Sequence, residues 1–98
     1  MSDPGLVDRL QLRLYVAGMT TRSQTAIHHT RSFCESYFVG RYDIEIIDIY
    51  QEPWLARDDQ ILAVPTLVRV LPLPLRRFVG DLSQTRRLLE GFGLEASQ

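Results

Sequence analysis

One thiol, two imidazoles and a small group of carboxylates are the side chains in this 98-residue chain best suited to chemistry. A redox thiol needs a helix N-terminus or a second cysteine close by, because the thiolate is the reactive form and positive surroundings stabilise it. Cys34 is the sole cysteine. No internal disulfide, CxxC pair or cysteine zinc site can be built from it. It also falls on an apolar stripe, about four turns into a helix by the helical period. That is the position of a core thiol, and cysteine is among the residue types most often buried. His28 and His29 are neighbours, so on a helix they point about 100° apart. Neither has a further His or Cys at ligand spacing, and they read as helix surface rather than metal ligands. Glu52, Asp58 and Asp59 cluster around a short helix, with Glu52 at its start, where negative charge is favoured. A catalytic pair would need a cleft and shifted pKa values; a solvated helix face accounts for these acids without either. Neither a glycine-rich phosphate loop nor a GxSxG nucleophile elbow is present. The expectation is no catalytic residue, no metal and no cofactor.

Arginine is the remaining signal. All 11 basic residues are arginine and none is lysine, against 12 acids, for a net charge of −1. That balance lacks the positive footprint of non-specific nucleic-acid binding. Arginine suits directional, bidentate pairing with carboxylates and phosphates at protein surfaces; an arginine-rich genome would give the same composition. Arg13, Arg69, Arg76 and Arg77 fall on strand segments, with Arg13 and Arg69 expected opposite the leucines and valines of their strands. Beside Tyr15 they form a candidate protein-binding surface. Charge that protects a sheet edge would select the same residues, and both readings stand. No apolar segment approaches the length of a membrane span, and Met1-Ser2-Asp3-Pro4-Gly5 lacks the features of a signal peptide. A single cysteine fits a reducing cytoplasm.

The elements that would hold these residues follow from periodicity. Residues 1–9 read as a loose arm, 10–94 as one domain and 95–98 as a tail. From Leu10 to Val16 the apolar residues alternate, the signature of a strand. Thr20, Thr21 and Ser23 are candidate N-caps. After them Ala26, Ile27, Thr30, Phe33, Cys34, Tyr37 and Phe38 recur at spacings of three and four, a helix ended by Gly40. Tyr42 to Ile49 is a second strand, with Ile44 and Ile46 on one face and Ile47 and Ile49 on the other. Apolar faces on both sides predict a central, covered strand. A strand, helix and strand of these lengths form a right-handed crossover with a parallel pair. Pro53 opens a short second helix carrying Trp54, Leu55, Ile61 and Leu62. Leu67 to Leu71 is a third strand, Pro72-Leu73-Pro74 a turn, and Arg76 to Val79 a fourth, antiparallel strand closed by Gly80. Asp81 is expected to cap a last helix, with Gln84 completing an approximate capping box. Leu82, Thr85, Leu88, Leu89 and Phe92 would line its inner face; Gly91 and Gly93 would stop it. The fold class is α/β, a single thioredoxin-like domain in the order β-α-β-α-β-β-α, with Pro65 before the third strand expected to adopt a cis bond.

Leu12 to Gly18, Ile47-Asp48-Ile49, Ile61 to Leu67 and above all Leu71 to Ser83 resemble the circadian clock protein family KaiB, and the likeness runs from about Leu10 to Leu94. The sensor domain of the kinase SasA is similar. The resemblance implies a non-enzymatic regulator that binds the ring of KaiC, a hexameric ATPase and autokinase, and modulates its phosphorylation cycle. It further implies KaiA and a SasA-like kinase as competing partners, and a homo-oligomer, dimer or tetramer, when free. It also implies fold switching, with an alternative order β-α-β-β-α-α-β in the free oligomer. On this basis Arg13, Tyr15, Arg69, Arg76 and Arg77 are nominated for partner contact. Pro65, Gly80, Asp81, Gly91 and Gly93 are nominated for the switch. Glu45, Gln60 and His28 depart from the family, which has lysines there. Two alternatives are a thioredoxin-like thiol oxidoreductase, and a paralogue serving a KaiC-like ATPase outside a clock.

Overall fold

The computed structural model describes residues 9–94. Seven elements appear in the expected order: β1 (Leu10–Val16), α1 (Thr21–Tyr37), β2 (Tyr42–Asp48), α2 (Pro53–Asp58), β3 (Thr66–Leu71), β4 (Arg76–Val79) and α3 (Thr85–Gly91). They form one four-stranded sheet in the order β2-β1-β3-β4. β1 runs parallel to β2 and antiparallel to β3, and β4 runs antiparallel to β3. The proposed arm and the 95–98 tail lie outside the described residues, except for Arg9. Its guanidinium grips Asp43 at 2.8 and 2.9 Å, which anchors the chain just before β1.

Period-two alternation in β1 divides the protein into two layers. Leu10, Leu12, Leu14 and Val16 face α1 and α3, where they pack with Phe33, Cys34, Leu88, Leu89 and Phe92. On the opposite face Tyr15, Ile47 and Val68 form a smaller cluster beneath α2, joined by Leu55 and Ile61. Among the proposed caps of α1, Thr20 takes the role: its Oγ1 accepts the Ser23 N–H at 3.1 Å. Buried Thr30 turns its hydroxyl onto the Ala26 carbonyl at 2.8 Å, so its polar atom costs the core little.

Several expectations need correction. β2 is an edge strand, not a central one. Its two-sided apolarity reports helices above and below it, whereas a neighbouring strand lies in a different direction, along the hydrogen bonds. Exposed Asp43 and Glu45 guard its open edge. α2 ends at Asp58, so Ile61 and Leu62 follow it rather than ride on it. α3 starts at Thr85, and Thr85 is exposed, while Leu82, Leu88, Leu89 and Phe92 are buried.

Candidate functional site

The end of the sheet that would carry redox chemistry is built from the exits of β1 and β2 and the entry to β3. Asp48 joins the first two, because its Oδ1 accepts the Gly18 N–H at 3.2 Å and the Tyr50 N–H at 2.9 Å. Tyr15 pairs with Thr66, which sets Pro65 beside the end of β1. The Val64–Pro65 peptide is cis, as the sequence suggested. The Pro65 carbonyl accepts the Gly80 N–H at 2.9 Å. The head of α1 there is Gly18-Met19-Thr20-Thr21, with no sulfur nucleophile. Cys34 sits past the middle of α1 with 0% of its surface exposed. Burial pushes its thiol up to about 12, with Glu35 adding to the effect. A thiol so placed is neutral and inaccessible, the opposite of what disulfide exchange requires. Among the described residues no three His, Cys, Asp or Glu side chains group as a metal site.

The five residues nominated for partner contact do not share a surface. Tyr15 is 0% exposed, because α2 covers this end of the sheet. Its hydroxyl bonds the Asp59 carboxylate and lies 3.2 Å from the Leu55 carbonyl. Burial first, then Asp59, pushes its phenol up to about 12. Arg13 completes the network, with Nη1 3.1 Å from Asp59 and Nε 3.3 Å from Glu45. Arg77 reaches the same turn from β4 and donates to the Asp59 carbonyl at 2.9 Å. Glu45, Arg13, Val68 and Arg77 thus form one row across all four strands. Asp59, which the sequence suggested only as a solvated acid, is its hub. The available signal was that Arg13 and Tyr15 share one strand face and both need a polar partner.

Arg69 lies on the other side. It faces the α1–α3 layer with Leu67, opposite Val68 and Val70 but on the same face as its strand's leucines rather than opposite them, and is only 8% exposed. Nη2 donates to the Pro74 carbonyl at 2.7 Å and Nη1 to the Gly91 carbonyl at 3.4 Å, while the guanidinium stands 5.6 Å from the Phe92 ring centroid. Its Nε has no partner among the described residues. Burial, and then neighbouring Arg76, lowers its pKa. Arg69 is therefore a strut between β3, the 72–74 turn and α3. Arg76 and Arg77 are exposed on β4, the sheet's other edge.

Asp81 does not cap α3. Its Oδ1 accepts the Ser83 N–H at 3.1 Å, and the Ser83 hydroxyl first, then this N–H, hold its carboxyl below the usual range. Leu82 then adopts a left-handed φ of 66°, which breaks any helical path from Asp81. Gly80 has a φ of 117°, a conformation that side chains disfavour. Gly93 has a φ of 76° and follows the end of α3, as expected. Gly91 has a different role: it belongs to α3, and a Cβ there would overlap the Phe78 ring.

A further feature was not foreseen. Ala56, Arg57, Gln60, Ile61, Leu62 and Arg77 line an open cleft of about 590 Å3 between α2 and β4. Leu62, expected to ride on α2, is 98% exposed. Its apolar run offers no period that separates inside from outside.

Comparison with known proteins places this geometry. The KaiB domain family model matches residues 13–94. A circadian clock oscillator protein KaiB from a Synechococcus species is 47% identical over 83 residues, which cover 85% of this chain and 76% of that protein. The KaiB of a Prochlorococcus marinus strain is 46% identical over 83 residues, 85% of this chain and 79% of its own. Among solved structures, the N-terminal domain of Synechococcus elongatus SasA matches with a TM-score of 0.76 at 18% identity, over 100% of this chain and 96% of that domain. A Fasciola hepatica thioredoxin matches with a TM-score of 0.66 at 16% identity, over 85% and 80% of the two chains. The fold is the thioredoxin-like α/β fold.

Proposed function

Because the chain belongs to the KaiB family, we propose that it is a non-enzymatic clock-type regulator that docks on a KaiC-like hexameric ATPase and modulates its phosphorylation cycle. The observation that carries this reading is the 47% identity to KaiB clock proteins over 85% of the chain. Two features support it. The lone thiol is locked in the core, so the surface is what remains to act. The chain also shares its shape with the SasA N-terminal domain, which supports competition with a SasA-like kinase for one docking place. KaiA is proposed as a second partner, and the cytoplasm as the place of action. Service to a KaiC-like ATPase outside a clock is the same reading in a host without an oscillator.

The proposal includes a second arrangement of the last third of the chain, with a dimer or tetramer as the free form. Support comes from how weakly that third is specified locally. α3 has seven residues and no side-chain cap, and a non-glycine residue at positive φ precedes it. Pro65, Gly80, Asp81, Gly91 and Gly93 are the positions proposed to matter. Size-exclusion chromatography of the whole chain with the host's KaiC-like ATPase, in ATP and in ADP, tests the function. Co-elution is expected after overnight incubation. Separate elution in every nucleotide state would overturn it.

A further inference from the structure

A smaller cavity, of about 150 Å3, lies where α1 meets the stretch that leads from β4 into α3. Its apolar wall is Phe78, Leu82 and Leu88, all buried. Its polar rim comes from parts far apart in the chain: Arg22 in the first turn of α1, and Gln84 and Arg87 around the start of α3. Neither arginine has a carboxylate within ion-pair distance among the described residues. Asp81 lines the same cavity, but its carboxylate is engaged by Ser83 and pairs with neither arginine. Two cations against one engaged anion leave local positive charge in a chain whose net charge is −1. The walls are also fastened in place. His29 Nδ1 donates to the Asp81 carbonyl at 2.9 Å, which ties the loop to α1. The Gly80 N–H donates to the Pro65 carbonyl at 2.9 Å, which ties it to the approach of β3. A site built beforehand spares its ligand the cost of ordering it.

We propose that this cavity binds the phosphoryl group of a small free metabolite, with Arg22 and Arg87 on its oxygens and the Gln84 amide donating a neutral hydrogen bond. Arginine's planar fork pairs bidentately with phosphate. A phosphate monoester brings nearly two negative charges at neutral pH, enough to engage both cations; a monocarboxylate would satisfy one. The size agrees, since a cavity of about 150 Å3 holds a molecule as large as benzene, and a phosphoryl group with its first bonded atoms is no larger. The rest of the metabolite would extend into solvent past exposed Val79. Arg22 belongs to α1 and Arg87 to the last third of the chain, so occupancy favours the arrangement described here over any that separates them. That consequence rests on the rearrangement proposed above; the binding does not.

The test is a titration of the whole isotope-labelled chain with glycerol 3-phosphate, read by amide chemical shifts at constant ionic strength. Saturating shifts are expected at Gly80, Gln84 and Arg87, with a Kd of about 1 mM or below. Arg22→Ala and Arg87→Ala should each weaken binding about tenfold, the effect of losing one charge-assisted pair. Both side chains are exposed, so their removal should leave the fold intact, which circular dichroism checks. Arg57→Ala, exposed and outside the cavity, should leave the affinity unchanged. Inorganic phosphate should shift the same amides, which places recognition in the phosphoryl group. No saturation by about 20 mM, or equal affinity in the native chain and both cavity variants, overturns the proposal. Succinate binding as tightly as glycerol 3-phosphate overturns it in favour of a carboxylate. Phosphatidic acid vesicles that shift these amides where the free phosphates do not overturn it in favour of a lipid surface. Co-elution with the KaiC-like ATPase is a separate readout. A chain that co-elutes but ignores phosphate loses this site and keeps the function; one that binds phosphate but never co-elutes keeps the site and loses the function.

Discussion

Dithionitrobenzoate added to the native chain at pH 8 should find almost no thiolate to attack. With the Cys34 thiol pushed up to about 12, roughly 1 molecule in 10,000 is ionised at that pH. At the reference value of 9.0 roughly 1 in 10 would be. The loss is about a thousandfold, but a thiolate of higher pKa is intrinsically more nucleophilic. A Brønsted slope of about 0.4–0.5 over three pKa units returns a factor of roughly 16–32. Ionisation alone therefore slows the reaction by only about 30- to 60-fold. Access is the larger barrier, because Cys34 is fully buried among Leu12, Leu14 and Phe33 in the main core. Reaction then waits for local or global opening. In the opened state the thiol is no longer buried and ionises normally, so an opening free energy of about 4 kcal/mol gives protection of roughly a thousand on its own. Native chain should thus react at least about a thousandfold more slowly than chain unfolded in guanidinium, and low denaturant should speed it. A native rate within about tenfold of the unfolded one would mean that Cys34 is reachable. The argument that this scaffold is barred from thiol chemistry would then fail.

Arg69→Ala should lower stability by about 2–4 kcal/mol in urea melts, since it removes two carbonyl hydrogen bonds, the stack on Phe92 and a buried apolar stem. Arg76→Ala and Arg77→Ala, both exposed on β4, should change it by no more than about 0.5 kcal/mol. Tyr15 has a folded pKa raised from 10.0 to about 12, so its contribution to stability is intact below pH 10 and is lost as pH rises toward 12. Between those values it should add a slope of about 1.4 kcal/mol per pH unit, and Tyr15→Phe should flatten the alkaline limb of a pH–stability profile. Thr20→Ala, which removes the cap of α1, should cost about 1 kcal/mol by thermal or urea unfolding.

The elements that read clearly were those whose burial pattern is contiguous. β1 alternates strictly and α1 keeps one stripe over seventeen residues, so local period and tertiary packing agree. Faces failed where the period was silent. Leu67-Val68-Arg69-Val70-Leu71 is apolar on both sides of Arg69, and parity alone cannot say which face holds the arginine. Pairing decided it: Leu12 opposite Arg69 puts the guanidinium on the core side. For Tyr15 the face was read correctly but not its burial. That depends on α2, whose covering of the sheet is set by residues about 40 positions away. Asp59 was missed for the same reason, since its meaning comes from partners on β1.

The last third resisted for a reason that bears on function. No side chain caps α3, the helix is only seven residues long, and its approach runs through a left-handed leucine. A helix this short is not stable by itself in water. What holds it is tertiary: Leu88 and Leu89 in the core, and Phe92 in contact with Phe33, Phe38 and Phe78 at centroid distances of 5.1, 5.9 and 5.2 Å. Gly91 admits the Phe78 ring against the helix, and Arg69 ties the same turn to β3. Because the conformation of 80–94 is set by its neighbours and not by its own propensity, a different set of neighbours, such as a second copy of the chain, could set a different one. That is the physical condition the proposed rearrangement needs, since two packings can compete only where local preference does not already choose between them.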